Sequence, residues 1–246
     1  MSYVLIHGGG ATGRFWDRLL PFLDADALAI DLPGRGDKPA DLATLTVDDE
    51  VVSVVDDIEA AALAAPIVLV VHSSGGLVVP GVVAALGPAI AHVVLNAASV
   101  PPEGGCGLDC MQPRHRDGLV GALEAAREQG VSLTTPGAPA DPEAFRNAYG
   151  GDPLDDETLA YVVDPARVVP DTMNHYLQPV HWSEAGEVPV TYILNERDRP
   201  VPLPLQEEMV ARLPHPPTVV RLDTGHIPAV TAPKEFAAIV ESVPLA

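Results

Sequence analysis

The sequence has few cysteines and few aromatic residues, and both shortages limit the kinds of protein it can encode. Two cysteines among 246 residues, Cys106 and Cys110, are too few for a disulfide framework, and their spacing does not match a zinc knuckle. We therefore expect two free thiols. Aromatic residues make up 4% of the chain and hydrophobic residues 47%, so aliphatic side chains must fill most of the core. A chain of this length can bury one substantial core in a single α/β domain.

Basic residues and long apolar runs are also scarce. The chain has 14 lysines and arginines against 34 aspartates and glutamates, which gives a formal net charge of -20. Such a field repels nucleic acid and anionic membrane surfaces, so we expect neither as a partner. No apolar stretch approaches the ~20 residues that a membrane span needs. The first residues, Met1 to His7, lack the basic and apolar regions of a signal peptide, which favours a cytoplasmic protein.

Short apolar runs alternate with helical patterns along most of the chain. Valines from Val47 to Val55, together with Ile58, recur at helical spacing, and Thr46 and Asp49 form a capping box in front of them. Strands that alternate with helices predict an α/β fold, with right-handed crossovers and a mostly parallel sheet covered on both faces. The predicted strands are Tyr3–His7, Ala27–Asp31, Ile67–His72, His92–Asn96, Val190–Asn195 and Thr218–Leu222.

The stretch from about residue 100 to residue 179 interrupts this alternation. It is rich in proline, glycine and aspartate, and it has helical patterns near Asp117–Gln129, Pro142–Tyr149 and Asp155–Val163 but no comparable strand. We interpret residues 106–179 as a helical cap inserted into a core formed by residues 1–105 and 180–246. In that core, Pro80 falls inside the helix expected after the third strand, where a proline costs roughly 3 kcal/mol.

Four segments with polar or glycine residues follow predicted strands, at the sheet edge where open parallel sheets bind ligands. The glycines of His7–Gly10 let backbone N–H groups approach a substrate oxygen, as an oxyanion hole requires. Ser73 and Ser74 follow the third strand and precede two glycines that permit a tight turn, so either serine could be a nucleophile. Asp198 follows the fifth strand and His226 the sixth. Taken singly, each segment is also typical of an ordinary turn.

Together these segments predict a catalytic triad. Serine, then acid, then histidine, each after a successive core strand, is the chain order of the α/β-hydrolases. Neutral His226 would accept the proton of the serine hydroxyl. Asp198 would hold the imidazole in the required tautomer and stabilise the imidazolium.

Motifs along the chain then indicate a family. They are Val4–Gly9 followed by Phe15 and Trp16, Asp31–Gly36, Val71–Gly76 and Asn96–Ala98. With these motifs the chain resembles the α/β-hydrolase superfamily over nearly its full length, especially the branch of plant methylesterases, hydroxynitrile lyases and related bacterial esterases. The resemblance implies an α/β-hydrolase fold with a helical cap. It also implies the nucleophile Ser73 and an oxyanion hole formed by the N–H groups of Gly9 and Ser74. Val71 stands where the family has glycine, so we expect a slightly shifted turn.

The triad and the resemblance predict a serine hydrolase. It would cleave a carboxylic ester or lactone of a neutral, fairly hydrophobic small molecule through an acyl-enzyme on Ser73, with no metal and no organic cofactor. We expect a monomer or a homodimer. Several residues are candidates to line the pocket, with packing between cap and core as the alternative reading: His72, Met111, Met173, Tyr176, His181 and Trp182.

Two other functions stay open at this point. Hydroxynitrile lyases resemble the chain, but they carry a lysine directly after the catalytic histidine and a threonine in the first oxyanion loop. Here these positions hold Ile227 and the pair Gly8–Gly9, which favours the esterases. The second alternative is a non-catalytic ligand-binding protein on a hydrolase fold. An intact set of Ser73, Asp198 and His226 argues against it.

Overall fold

A parallel sheet forms the centre of the protein. The computed structural model describes residues 1–135, 137, 141–149, 151, 152 and 154–244. The strands within these residues are β1 (Ser2–Ile6), β2 (Asp26–Ala29), β3 (Ile67–His72), β4 (Ile90–Asn96), β5 (Val190–Asn195) and β6 (Thr218–Leu222). They pair in the order β2-β1-β3-β4-β5-β6, and every pair is parallel. The predicted α/β-hydrolase fold, a mostly parallel sheet flanked by helices, is confirmed.

Helices cover both faces of the sheet. They are α1 (Val47–Ala61), α2 (Val79–Leu86), α3 (Pro113–Glu128), α4 (Pro142–Ala148), α5 (Asp156–Val162), α6 (Leu203–Arg212), α7 (Pro228–Thr231) and α8 (Pro233–Glu241). One face packs on buried residues of α1, α2 and α6, and the other on residues of α5, α7 and α8. Side chains of β1 alternate between the two clusters, with Val4 and Ile6 in one and Tyr3 and Leu5 in the other, as the period of a strand requires.

Capping residues and prolines account for where several helices begin. Thr46 and Asp49 form the expected capping box at the start of α1. Helix α3 begins four residues before the predicted helix, because Pro113 is compatible with the first turn, where no intrahelical N–H bond is lost. Pro80 is the second residue of α2. A 3₁₀ helix over Ser73–Leu77 precedes α2, so this proline lies in a first turn and its expected cost does not arise.

The strand order changes direction between β1 and β3, and this position determines where the site forms. β1 lies between β2 and β3, so the connections from β1 to β2 and from β3 to β4 run toward opposite edges of the sheet. A crevice opens at such a switch point, beyond the carboxyl ends of the two strands. Residues His7–Gly10 follow β1 there, and Ser73 follows β3.

The segment between β4 and β5 holds α3, α4 and α5, close to the predicted helical patterns. Its return part, residues 166–171, runs beside the loop after β1. Ala11 and Val168 form an antiparallel bridge, and the N–H of Val169 donates to the carbonyl of Gly10 over 2.9 Å. The division into a core and a cap of residues 106–179 stays a prediction. Among the described residues, no helix is long and apolar enough to cross a membrane.

We predict that Gly76→Ala strongly destabilises the protein. A Cβ at this position would overlap the backbone nitrogen and carbonyl oxygen of Ser99, and neither can move without shifting the end of β4. Overpacking of this kind costs about 1–3 kcal/mol or more of unfolding free energy. Urea denaturation measures the change.

The matched control is Gly121→Ala in α3, where no atom lies within 4 Å of an added Cβ. This variant should be neutral or gain about 0.5–1 kcal/mol, because alanine restricts the unfolded chain and favours the helix. Equal effects of the two substitutions would contradict the close approach of Gly76 to Ser99.

Candidate active site

Ser73 lies on a strained turn between β3 and the 3₁₀ helix that follows it. Its φ angle is 52°, in the left-handed region that residues other than glycine rarely adopt. The next residues must pass close to the loop after β1, since a Cβ at Gly75 would lie 2.7 Å from the carbonyl oxygen of His7. Val71 pairs with Ile6 inside the sheet, so its β-branched side chain is accommodated in a strand. A strained strand-to-helix turn is the arrangement that exposes a nucleophile.

The two adjacent serines have different surroundings. Ser73 is partly accessible and lines a cavity together with Gly8, Gly9 and His226. Ser74 is buried. Its hydroxyl oxygen would lie 3.3 Å from a Cβ on Gly9, and it lies beside the hydroxyl of Tyr176. Of the two hydroxyl groups, only that of Ser73 belongs to a cavity-lining residue.

His226 and Asp198 form a buried pair. His226 Nδ1 lies 2.6 Å from Asp198 Oδ2, and both side chains are almost inaccessible to solvent. The other carboxylate oxygen of Asp198 accepts a hydrogen bond of 2.8 Å from the N–H of Val201. With Nδ1 held by the carboxylate, Nε2 is the nitrogen available toward the cavity. Among the described residues, the Ser73 hydroxyl makes no hydrogen bond to His226, although both residues line the same cavity.

Buried amides hold the loops that carry this pair. Asn195, at the end of β5, accepts from the amide of Asn96 over 2.8 Å and donates toward the carbonyl of His226 over 3.5 Å. Gln206 donates to the carbonyls of Asn195 and Val201 over 3.0 and 2.7 Å. Loops from β4, β5 and β6 are therefore fixed to one another by polar groups that are fully removed from water.

His72 connects the serine turn to the histidine loop. Its Nε2 lies 2.9 Å from the carbonyl oxygen of His226, so this nitrogen carries the proton and donates. The ring stacks on Phe15 and lies 4.6 Å, centroid to centroid, from the ring of His226. Burial, with the neighbouring His226, holds the pKa of His72 well below its usual range. Burial and the positive charge of Arg35 likewise lower the pKa of His7 to about 3. Both histidines are neutral near pH 7.

The loop after β1 is free of side chains where it faces the serine turn. A Cβ on Gly8 would lie 2.7 Å from the Cβ of Ser73, and a Cβ on Gly9 would lie 2.6 Å from the hydroxyl oxygen of Tyr176. Only glycine allows both approaches without displacement. In the described part of the chain, the Gly9 N–H has no hydrogen-bond acceptor, and the Ser74 N–H belongs to the first turn of the 3₁₀ helix, where no intrahelical acceptor exists.

The cavity above Ser73 is small, with a volume of about 80 Å³, and its lining is mainly apolar and aromatic. The loop glycines, Ser73, His72, His226 and Phe15 form one part of the lining. The other part comes mainly from α4, α5 and the return part of the segment between β4 and β5. These residues include Phe145, Tyr149, Tyr161, Val162, Arg167 and Val168. The ring of Tyr149 stacks on Phe145 at 4.2 Å and lies 5.6 Å from that of His226. Arg167 is paired with Asp17 and Asp164, each over 2.9 Å.

Most of the pocket residues expected from the sequence lie elsewhere. His72 lines the cavity, and Tyr176 lies behind Gly9. Trp182 is buried in the core against α2, and Met173 borders a separate surface groove next to α3. His181 is half-exposed and pairs with Glu103, and Met111 follows a 3₁₀ turn outside the cavity lining. Sequence order placed these side chains near the site, but the packing of the segment's return turns them away from it.

The aromatic residues of α4 and α5 were not identified from the sequence. Aromatic side chains are scarce in this chain, and three of them, Phe145, Tyr149 and Tyr161, fall within or next to two short predicted helices of the segment between β4 and β5. That concentration was the available signal. Both thiols are free, as expected, and burial raises the pKa of Cys110 to about 12. No group of three or more His, Cys, Asp or Glu among the described residues is arranged to hold a metal ion.

Comparison with known proteins identifies the family. Residues 3–239 match the sequence profile of the Alpha/beta hydrolase family. The chain belongs to this family. No curated protein matches the sequence. A methylesterase and polyneuridine aldehyde esterase are among the proteins with a similar fold, at 22% and 19% identity.

Solved structures from bacteria and plants share the fold of this alpha/beta hydrolase. An extracellular α/β-hydrolase from a Paenibacillus species superposes with a TM-score of 0.77 at 20% identity, covering 98% of both chains. A pyrethroid hydrolase from Sphingobium faniae has a TM-score of 0.76 at 23% identity, covering 98% of this chain and 96% of its own. The methylesterase MES16 from Arabidopsis has a TM-score of 0.70 at 22% identity, with coverage of 98% and 97%.

The two neutral buried histidines predict a loss of stability in acid. A folded-state pKa below the unfolded value favours the unfolded chain as pH falls through ~6.5, because the unfolded histidine binds the proton first. For His7, with a folded pKa of about 3, the loss between about pH 7 and about pH 5 is about 2 kcal/mol of unfolding free energy.

Urea denaturation at the two pH values of wild type and His7→Gln checks this expectation. The variant should lose about 2 kcal/mol less than wild type over the same interval, whatever its stability at neutral pH. The same loss in both proteins would show that His7 is not buried in its neutral form.

Proposed function

We propose that this alpha/beta hydrolase is a serine hydrolase that cleaves a carboxylic ester or lactone through an acyl-enzyme on Ser73. The observation that supports it most is the buried His226–Asp198 pair, whose histidine lines the same cavity as a serine on a strained turn. Two further features support it. Gly9 lines the cavity and its N–H has no acceptor among the described residues, and Ser74 lies in the first turn of the 3₁₀ helix.

Acylation would begin with attack of Ser73 Oγ on the substrate carbonyl carbon. His226 Nε2 takes the hydroxyl proton, while Asp198 accepts the hydrogen bond from Nδ1 and stabilises the imidazolium. Negative charge then develops on the carbonyl oxygen, and in this proposal the N–H groups of Gly9 and Ser74 donate hydrogen bonds to it. The alcohol leaves with the proton from His226. Water, deprotonated by the same histidine, hydrolyses the acyl-enzyme and regenerates the serine.

The cavity lining supports a neutral, fairly hydrophobic substrate. Its walls are aromatic and aliphatic side chains, and its guanidinium group, on Arg167, is already paired with Asp17 and Asp164. A free carboxylate on the substrate would therefore find no unpaired cation among these groups, and burying it would be costly. The net charge of -20 further disfavours anionic substrates. Ile227, also in the lining, follows His226 where the lyases carry a lysine.

Covalent labelling tests the nucleophile. A fluorophosphonate probe should label wild type once, at Ser73, and Ser73→Ala should lose both the label and at least about a thousandfold in kcat on p-nitrophenyl butyrate. Ser74→Ala is the matched control and should keep the label. Peptide mapping by mass spectrometry identifies the labelled serine.

Label on Ser74, or persistent label in Ser73→Ala, would contradict the assignment of the nucleophile. Tight binding of esters or lactones without product would instead identify a non-catalytic binding protein on this fold.

Substrate preference should depend on Tyr149. Its ring lies against His226 and Phe145 in the cavity wall, so Tyr149→Ala enlarges the space next to the acyl or alcohol group. An apolar wall discriminates by roughly 1–3 kcal/mol per methylene, so the optimum among p-nitrophenyl esters of graded acyl length should move by at least about one or two carbons.

Asn147→Ala is the control, because Asn147 lies in the last turn of α4, just before Tyr149, and is exposed. It should keep the wild-type profile of kcat/KM against acyl length. An unchanged profile in Tyr149→Ala would show that neither substrate group contacts this wall.

A further inference from the structure

The loop after β1 is held by the segment between β4 and β5. We call residues Gly8–Thr12 the oxyanion loop. The N–H of Thr12 donates to the carbonyl of Arg167 over 3.2 Å, its hydroxyl donates to the carbonyl of Ala166 over 2.9 Å, and the N–H of Gly10 donates to Asp171 Oδ2 over 2.7 Å. Together with the Ala11–Val168 bridge, these contacts place the loop against residues 166–171. One of these partners, the carboxylate of Asp171, is a side chain.

Asp171 belongs to a buried group of charges. Its other oxygen pairs with Arg35, which also contacts Glu50 over 3.4 Å, and both oxygens of Glu50 lie 3.2 Å from His175 Nδ1. We call Arg35, Glu50, Asp171 and His175 the Arg35 cluster. All four side chains have at most 2% of their surface exposed. They come from the turn after β2, from α1 and from the segment between β4 and β5, so the cluster ties three parts of the chain together.

The negative charge of Asp171 lies close to a site that, in the proposed reaction, must stabilise an anion. Its Oδ2 would lie 3.3 Å from a Cβ on Gly9, the residue whose free N–H is placed to receive the oxyanion. An uncompensated carboxylate beside Gly9 would oppose the developing negative charge, because buried charges are weakly screened. Arg35 supplies the compensation. Burial alone would raise the pKa of Asp171, but Arg35 and His175 hold it below its usual value, so the carboxylate stays ionised.

His175 pairs with Glu50, as Arg35 pairs with Asp171. Burial would lower the pKa of His175, but Glu50 and Asp171 outweigh burial and Arg35 and hold it above its usual value. Arg35 lies between the carboxylates of Asp171 and Glu50, and His175 Nδ1 faces both oxygens of Glu50. The cluster therefore offers the oxyanion loop a paired carboxylate as a strong acceptor at a fixed position.

We propose that Asp171, held by Arg35, is a positioning residue that fixes the Gly10 peptide and with it the N–H of Gly9 for the oxyanion. The proposal rests on the proposed function, since it assigns Asp171 to the transition state of that reaction. Glycine-rich loops have many accessible conformations, so a free loop would have to be ordered in each turnover. A charge-assisted hydrogen bond from a buried, paired carboxylate orders it beforehand.

The test compares Asp171→Asn with wild type on p-nitrophenyl butyrate. Asparagine keeps the shape but removes the charge, so its amide must place either its oxygen or its nitrogen toward Arg35 and cannot satisfy both partners. We expect kcat to fall by about 30- to 100-fold while KM stays within about threefold, because the lost interaction acts on the transition state. Asp117→Asn on α3, with 71% of its carboxylate side chain exposed, is the matched control and should leave both constants unchanged.

Several outcomes separate the proposal from its alternatives. A kcat within threefold of wild type, or equal loss of kcat and gain in KM, would overturn the positioning role. Complete labelling of Ser73 by the fluorophosphonate at long times in both proteins would show that the nucleophile and the fold survive. If wild type itself neither turns over esters nor takes the label, the proposed function fails rather than the contact.

A second measurement is independent of activity. Amide hydrogen exchange, followed by NMR, should show the Gly10 N–H protected in wild type and exchanging at least about tenfold faster in Asp171→Asn. If that variant does not fold, Glu50→Gln weakens the hold on Arg35 from the other side and should also speed exchange at Gly10 and lower kcat. An unprotected Gly10 in wild type would overturn the proposal.

Discussion

All strands of this sheet run in the same direction, and that constraint brings the residues of the site together at one edge. Loops that follow parallel strands must emerge at one edge, so residues far apart in sequence meet there without any further device. The reversal of strand order between β1 and β3 opens the crevice in which Ser73 and the oxyanion loop face each other. The acid and the histidine arrive from β5 and β6 on the same edge.

Polar groups buried behind this edge set the distances within it. Asn195 and Gln206 fix the loop that carries Asp198, and His72 fixes the loop that carries His226. Each of these contacts lies inside the protein, where an unmade hydrogen bond is costly and a made one is strong. The site is thus supported by amides and a neutral imidazole on one side and by the ion pairs of Arg35 on the other.

The fold could be predicted from the sequence because the strands are buried on both faces. A central parallel strand is a continuous apolar run, and the sequence shows such a run at Ile67–Val71. The polar residues after such runs then indicate the candidate triad. The cavity wall could not be predicted in this way. Whether Trp182 or Tyr149 faces the serine depends on how short helices pack, and no periodicity in the sequence encodes that.

The Arg35 cluster shows the same limit. Arginine in a glycine-rich turn and glutamate on a helix are typical of exposed surface positions, and nothing near Arg35 in the sequence indicates burial. Its partner Asp171 is 136 residues away. Only the three-dimensional packing of α1 against the return of the segment between β4 and β5 brings the charges together.

The hydrogen bonds between residues 166–169 and Gly10–Thr12 matter for protein engineering, because they bind the end of the segment between β4 and β5 to the loop after β1. An exchange of helices α3, α4 and α5 for those of a relative would leave these contacts in place, provided the junction lies before residue 166. A junction placed later would carry in a foreign support for the oxyanion loop. In such chimeras the junction therefore belongs before residue 166 and not at the end of the segment between β4 and β5.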